Sequence, residues 1–301
     1  MAAIGRLLTA MITPMTKEGE VNYDQACKLA QCLIRSGNDG LVIGGTTGES
    51  PSMSNEEKLR LFGEVKDAVG SDVAIIAGTT DNNHRNSVEL TQEAERLGVD
   101  GILLTVPAYN KPQQEGLCLH FEALSKATTL PCMLYNVPSR TSLNMDAETT
   151  LHLAQIDNII GVKEASSDPV QIARIVDKSP EGFRVWSGND DETFSVMCVG
   201  GYGVVSVAGH LLGNQIKSMI DLVLAGKIEQ AAAEHLRMLP IFKALFWVTS
   251  PVPVKYAVSQ AGFKAGPTRL PLAPADVSFK AKFDEVLDMY NLDLAAVLTE
   301  S

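Results

Sequence analysis

A lysine sits in the middle of the run Ile159-Ile-Gly-Val-Lys-Glu-Ala-Ser166, whose apolar character reads as a fully buried strand. Side chains alternate along a strand, so Gly161, Lys163 and Ala165 share one face while Ile160, Val162 and Glu164 share the other. Lys163 is thus flanked by two very small residues, which leaves space beside it. Burial without a fixed anion lowers an ammonium's pKa from about 10.4 toward ~7–8, where the neutral amine attacks a carbonyl carbon. The competing reading is a structural ion pair, because a buried lysine is nearly always paired. Glu164 is excluded as that partner by its opposite face. The strand alone fits both readings.

Other residues able to do chemistry follow short apolar runs in the same way. Gly44-Gly-Thr-Thr-Gly-Glu-Ser50 has glycines that let backbone N–H groups approach a ligand, and the Thr46 and Thr47 hydroxyls could bind or relay a proton. It lacks the Gly-Lys-Ser/Thr ending of a P-loop. Taken alone it reads as a glycine-rich turn whose Thr and Ser residues cap the next helix. In Leu134-Tyr-Asn-Val-Pro-Ser-Arg-Thr141, Tyr135 has the phase of Met133 and Val137 and needs a polar partner if it points inward. Arg140 offers a fork for a carboxylate, or is a solvated loop charge. Tyr109 lies on the loop Val106-Pro-Ala-Tyr-Asn-Lys-Pro112 and is equally a surface aromatic at a subunit contact. Ser187-Gly-Asn-Asp-Asp191 could line a site, but Asn189 to Asp191 are expected to be N-caps for the following helix.

The elements that must position these residues alternate between strand and helix patterns, the signature of βα units and a parallel sheet. Eight strands are expected, at Leu7–Thr13, Gly40–Gly45, Val73–Gly78, Gly101–Val106, Cys132–Val137, Ile159–Ala165, Arg184–Ser187 and Gly203–Val207. Ser36-Gly-Asn-Asp-Gly40, Leu97-Gly-Val-Asp-Gly101 and Val199-Gly-Gly-Tyr-Gly203 each read as a helix-ending glycine and a tight turn into a strand, so one unit is repeated. Residues 1–225 then fit a (β/α)8 TIM barrel, whose typical size is about 250 residues. Residues 226–301 are expected to form a small C-terminal helical domain with helices at Lys227–Phe246, Pro253–Ala261 and Pro274–Asn291. An open doubly wound sheet is the alternative, but the first βα turn carries no G-x-G-x-x-G, which argues against a dinucleotide site. In a barrel, catalytic residues gather at the C-terminal strand ends. Lys163, Thr46, Thr47, Tyr135 and Arg140 all fall on that rim. The set matches what imine chemistry on a keto acid requires: an amine, proton-shuttling hydroxyls and groups to hold carboxylates.

Composition narrows the partners. A net charge of −11 and a pI near 5.0 argue against nucleic acid or anionic membrane, either of which needs a basic face. Five cysteines form an odd set with no C-x-x-C, which reads as reduced thiols in a cytoplasmic protein. The histidines show no ligand-like spacing, so no metal site is expected. Met1 to Met15 lacks a basic leading region and fits a first strand better than a signal peptide. No apolar run reaches the roughly 18 residues of a membrane span.

Gly44-Gly-Thr-Thr-Gly-Glu-Ser50, Tyr135-Asn-Val-Pro-Ser-Arg-Thr141 and Gly161-Val-Lys-Glu-Ala165 together resemble the dihydrodipicolinate synthase and N-acetylneuraminate lyase superfamily of pyruvate-dependent class I aldolases. The likeness extends through Ser250-Pro-Val-Pro-Val-Lys-Tyr256 and Arg269-Leu-Pro-Leu272, and the Asn-Val-Pro-Ser-Arg-Thr run resembles the synthase branch more than the sialic-acid lyases. The resemblance implies a lyase of lysine and diaminopimelate biosynthesis in which Lys163 forms an imine with pyruvate, whose enamine adds to L-aspartate 4-semialdehyde. It implies that Tyr135 relays protons with Thr47 and with Tyr109 from a neighbouring subunit. Arg140 would hold the aldehyde's carboxylate and Thr46 and Thr47 that of pyruvate, while the backbone at Gly188 and Val205 would line the pocket. A homo-oligomer, usually a tetramer built as a dimer of dimers, and no external cofactor are also implied.

Ser50 and Asn82 fit the family's allosteric L-lysine site. Ala108, Asn55 and Lys58 depart from feedback-sensitive members, so weakened or absent lysine inhibition is expected. A pyruvate-releasing aldolase of the same superfamily, acting on a sialic acid, a 2-keto-3-deoxy sugar acid or 4-hydroxy-2-oxoglutarate, is the alternative. A non-catalytic keto-acid-binding barrel is a second, disfavoured because a sensor has no reason to keep a proton relay.

Overall fold

The computed structural model describes residues 2–299. Eight parallel strands, β1 (Leu7–Ala10), β2 (Gly40–Ile43), β3 (Ala74–Gly78), β4 (Gly101–Thr105), β5 (Cys132–Asn136), β6 (Ile159–Glu164), β7 (Arg184–Ser187) and β8 (Gly203–Ser206), pair in sequence order. β8 returns to β1, so the sheet is a closed barrel and the open doubly wound alternative is excluded. Gly37, Gly98 and Gly200 end their helices at φ +103°, +77° and +101°, a conformation that glycine adopts without steric cost, and this is the repeated turn read from the sequence. β1 ends three residues earlier than expected. The Ile12 N–H donates to the His210 ring at 3.0 Å and the Thr13 hydroxyl to the Gly48 carbonyl at 2.7 Å, so the backbone has left the ladder there.

The inward faces of the strands make a closed apolar cluster that includes Leu8, Val42, Leu103, Met133, Trp186 and Val205. Trp186 corrects one expectation. The room beside Lys163 lies toward the barrel mouth and not on the Gly161 side, where a Cβ would lie 2.6 Å from the Trp186 ring and 2.2 Å from the Arg184 carbonyl. Gly161 is small so that the indole, whose Nε1 donates to the Gly5 carbonyl at 3.0 Å, can fill the barrel beside the lysine.

Outside the barrel, the larger cluster between strands and helices runs without a break into the C-terminal helices through Phe242, Val254, Phe283 and Leu294. Those helices span Ile228–Ala244, Val252–Gln260, Val277–Leu287 and Asp293–Thr299. The third starts later than expected because Asp276 caps it, accepting the Phe279 N–H at 2.8 Å. The last was not anticipated; its Asp293 carboxylate takes the Asn214 N–H at 2.9 Å and so pins the chain's end to the barrel. Among the described residues no helix is long and apolar enough to cross a membrane, and no group of three or more His, Cys, Asp or Glu could hold a metal ion.

Candidate active site

β5 and β6 place Tyr135 and Lys163 side by side in register, with Trp186 opposite Lys163 on β7. The lysine is 5% exposed and its Nζ stands 4.1 Å from the centroid of the Tyr135 ring. Above them opens a cavity of about 490 Å³, lined by Thr46, Thr47, Tyr135, Arg140, Lys163 and Gly188 among others. Val205 is buried in the barrel interior and does not line the cavity; Val207, just after the same strand, does. Tyr109 is 91% exposed on its loop, at φ +72°, and is absent from this cavity wall. Ser50 begins a short 3-10 turn and Asn82 is exposed, and neither lines the cavity.

The ion-pair reading of Lys163 fails on geometry. Glu164 points away from the barrel, where its carboxylate accepts from Asn136 at 3.0 and 3.2 Å, from the Ser166 N–H at 2.8 Å and from Gln171 at 3.3 Å. Lys163 makes no ion pair among the described residues. Burial brings its pKa down to about 7; Asp190 works against that shift and the Arg140 charge adds to it. Burial likewise pushes the Tyr135 phenol up to about 12, with Arg140 lowering and Glu164 raising it. The site therefore holds an amine that is largely neutral just above pH 7 beside a phenol that keeps its proton.

This has a measurable consequence. The amine is nucleophilic only when deprotonated, so imine formation with a keto acid should rise about tenfold per pH unit up to a midpoint near 7 and then level. Quenched borohydride trapping of pyruvate across pH reads that limb; a midpoint near that of an ordinary lysine would contradict the assignment.

Two expectations about the rim are corrected. Thr46 and Thr47 do not cap a helix: Ser54 does, accepting the Glu57 N–H at 3.1 Å while Glu57 accepts the Ser54 N–H at 2.9 Å. Nor do Asn189 to Asp191 act as side-chain caps. Asn189 lines the cavity and donates to Glu192 at 3.0 Å. Asp190 is buried beneath it, accepting from the Ser206 hydroxyl and from the Val207 and Ala208 N–H groups at 3.0 and 2.9 Å.

Two contributors were missed altogether. Phe246 to Ser250, in the turn after the helix Ile228–Ala244, close one side of the cavity. Glu49 adopts φ +60° and buries a carboxylate that pairs with Lys255 at 2.5 Å and accepts the Arg269 N–H at 2.8 Å. This pair ties the Gly-Thr-Thr loop to the C-terminal helices and fixes where Thr46 and Thr47 stand. Removing one partner alone would leave an uncompensated buried charge. The only sequence signals were Glu49 within the glycine-rich run and Lys255 within Ser250-Pro-Val-Pro-Val-Lys-Tyr256.

Residues 3–289 match the profile of the dihydrodipicolinate synthetase family. The chain belongs to that family. A relative named 4-hydroxy-tetrahydrodipicolinate synthase, from Symbiobacterium thermophilum, is 53% identical over 95% of this chain and 98% of its own length. Among solved structures, dihydrodipicolinate synthase from Bacillus anthracis superposes with a TM-score of 0.94 at 39% identity, covering 97% of this chain and 100% of that one. The synthase from Cyanidioschyzon merolae, solved with lysine bound, gives a TM-score of 0.93 at 40% identity over 97% and 98%. In this chain the three motifs read from the sequence are gathered by the fold at one barrel mouth.

Proposed function

We propose that this chain is a 4-hydroxy-tetrahydrodipicolinate synthase, a lyase acting in lysine and diaminopimelate biosynthesis on pyruvate and L-aspartate 4-semialdehyde. The observation that carries the mechanism is a buried Lys163, without an ion pair among the described residues, packed on Tyr135 at the foot of the cavity. The neutral Nζ attacks the keto carbon of pyruvate, and loss of water leaves an imine. Removal of a methyl proton gives the enamine, which adds through its carbon to the aldehyde. The aldehyde substrate's own amine then closes the ring and displaces Lys163. Tyr135 relays protons with Thr47, while Thr46 and Thr47 hold the pyruvate carboxylate. Arg140, whose guanidinium has no partner within the chain among the described residues, takes the carboxylate of the aldehyde. The imine itself serves as the electron sink, so the scheme needs no external cofactor.

The almost fully exposed Tyr109 completes the relay from a neighbouring subunit, with Gly188 on the pocket wall and Val207 in the place expected of Val205. On this reading the protein works as a homo-oligomer, a tetramer built as a dimer of dimers, in the cytoplasm. The C-terminal helical extension that begins at residue 226 acts as the unit that closes one side of the site, through Phe246 to Ser250.

A coupled assay with pyruvate, L-aspartate 4-semialdehyde, dihydrodipicolinate reductase and NADPH tests the reaction directly. NADPH oxidation should require both substrates. Arg140→Ala should raise the KM for the aldehyde by roughly 10–100-fold, the worth of a charge-assisted hydrogen bond, while pyruvate is still trapped on Lys163 by borohydride. Loss of trapping together with aldehyde affinity would contradict that division of labour, and no NADPH oxidation with trapping intact would favour the pyruvate-releasing aldolases.

A further inference from the structure

The opposite, N-terminal end of the barrel holds a second cavity, of about 450 Å³, that the proposed chemistry does not use. Arg6 enters it from just before β1, Arg184 from the first position of β7, and Tyr202 from just before β8. Both guanidiniums lie against the Tyr202 ring, at 4.2 and 4.4 Å from its centroid. Neither forms an ion pair among the described residues. Each makes one hydrogen bond, Arg6 to the Tyr202 carbonyl at 2.6 Å and Arg184 to the Ile4 carbonyl at 3.2 Å. A guanidinium carries five donors, so most of theirs are unspent.

Side chains at this face of a barrel usually serve stability, and those two bonds do tie the chain's start to the sheet. One bond each does not explain why two cations share one ring without a carboxylate between them. The chain has 36 acidic residues against 25 basic ones, so counter-ions were abundant. The rest of the cavity wall is largely apolar, including Val176, Phe183, Met197 and Leu224. A pocket of this size, with apolar side walls and two convergent guanidiniums, has the make-up of a site for a small molecule with one charged and one apolar end.

We propose that this cavity binds an organic anion: a carboxylate or phosphate head held by the free N–H groups of Arg6 and Arg184, with an apolar body against the side walls. The planar fork of arginine suits either head group. The site stands apart from the barrel's C-terminal mouth and is independent of the reaction proposed there.

The test uses octanoate and octyl phosphate as probes, with octanol as the neutral comparison, on protein whose Lys163 has first been blocked with pyruvate and borohydride. Calorimetry should show saturable one-site binding of at least one anion and none of octanol. Arg6→Gln and Arg184→Gln should each weaken it at least tenfold, with far-UV circular dichroism unchanged. A preference between the two anions identifies the head group. No saturable binding to the wild type overturns the proposal, as does equal affinity in the variants or saturable binding of octanol.

Discussion

Lys163→Arg is expected to lower turnover by at least about a thousandfold while the barrel remains folded. Arginine has similar reach, but its guanidinium stays protonated at any pH the protein tolerates and does not form an imine. The geometry makes the effect specific. Among the described residues Lys163 pairs with no carboxylate, so the substitution breaks no ion pair there, and the neighbouring Trp186 and Tyr135 still pack around the stem. Steady-state turnover with both substrates, alongside circular dichroism, checks the expectation. Residual turnover within about tenfold of wild type would remove the Schiff base from the account.

Tyr135→Phe is the second large effect, expected at about 10²–10⁴-fold in kcat, the range a positioned proton-transfer group supplies. The ring that packs on Lys163 is retained, so pyruvate should still be captured, only more slowly. Because burial pushes the phenol up to about 12, Tyr135 keeps its proton throughout the neutral range. It must therefore pass protons through its hydroxyl rather than wait as a phenolate, which is why a hydroxyl partner such as Thr47 on the same cavity wall matters. Comparing trapping rate with kcat separates this role from packing: a merely structural tyrosine would depress both equally.

The parts of this site legible in the sequence are those set by local periodicity. Alternation along β5 and β6 gave Tyr135 the phase of Met133 and Val137 and set Lys163 and Glu164 on opposite faces, and the structure turns Tyr135 and Lys163 inward and Glu164 outward. Repeated glycine turns marked how the barrel is wound. What escaped depends on contacts between distant segments. Glu49 meets Lys255 across more than 200 positions, a contact that no spacing rule connects, and the turn at Phe246 to Ser250 reaches the barrel mouth only once the extension folds back. Asn189 to Asp191 have the composition of caps, yet the buried Asp190 binds the end of β8 instead. Gly161 shows the same limit within one strand: its smallness was legible, but the indole that needs it arrives from the next strand.

The most direct measurement is to incubate the protein with pyruvate, reduce with borohydride and map the modified peptide by mass spectrometry. The account predicts one adduct, on Lys163, absent from Lys163→Arg. Lys58 is also buried, with a pKa lowered by burial and partly restored by Asp81, so the experiment offers the reagent a real competitor. An adduct on Lys58, or none at all, would contradict the claim that the barrel's chemistry is organised around Lys163.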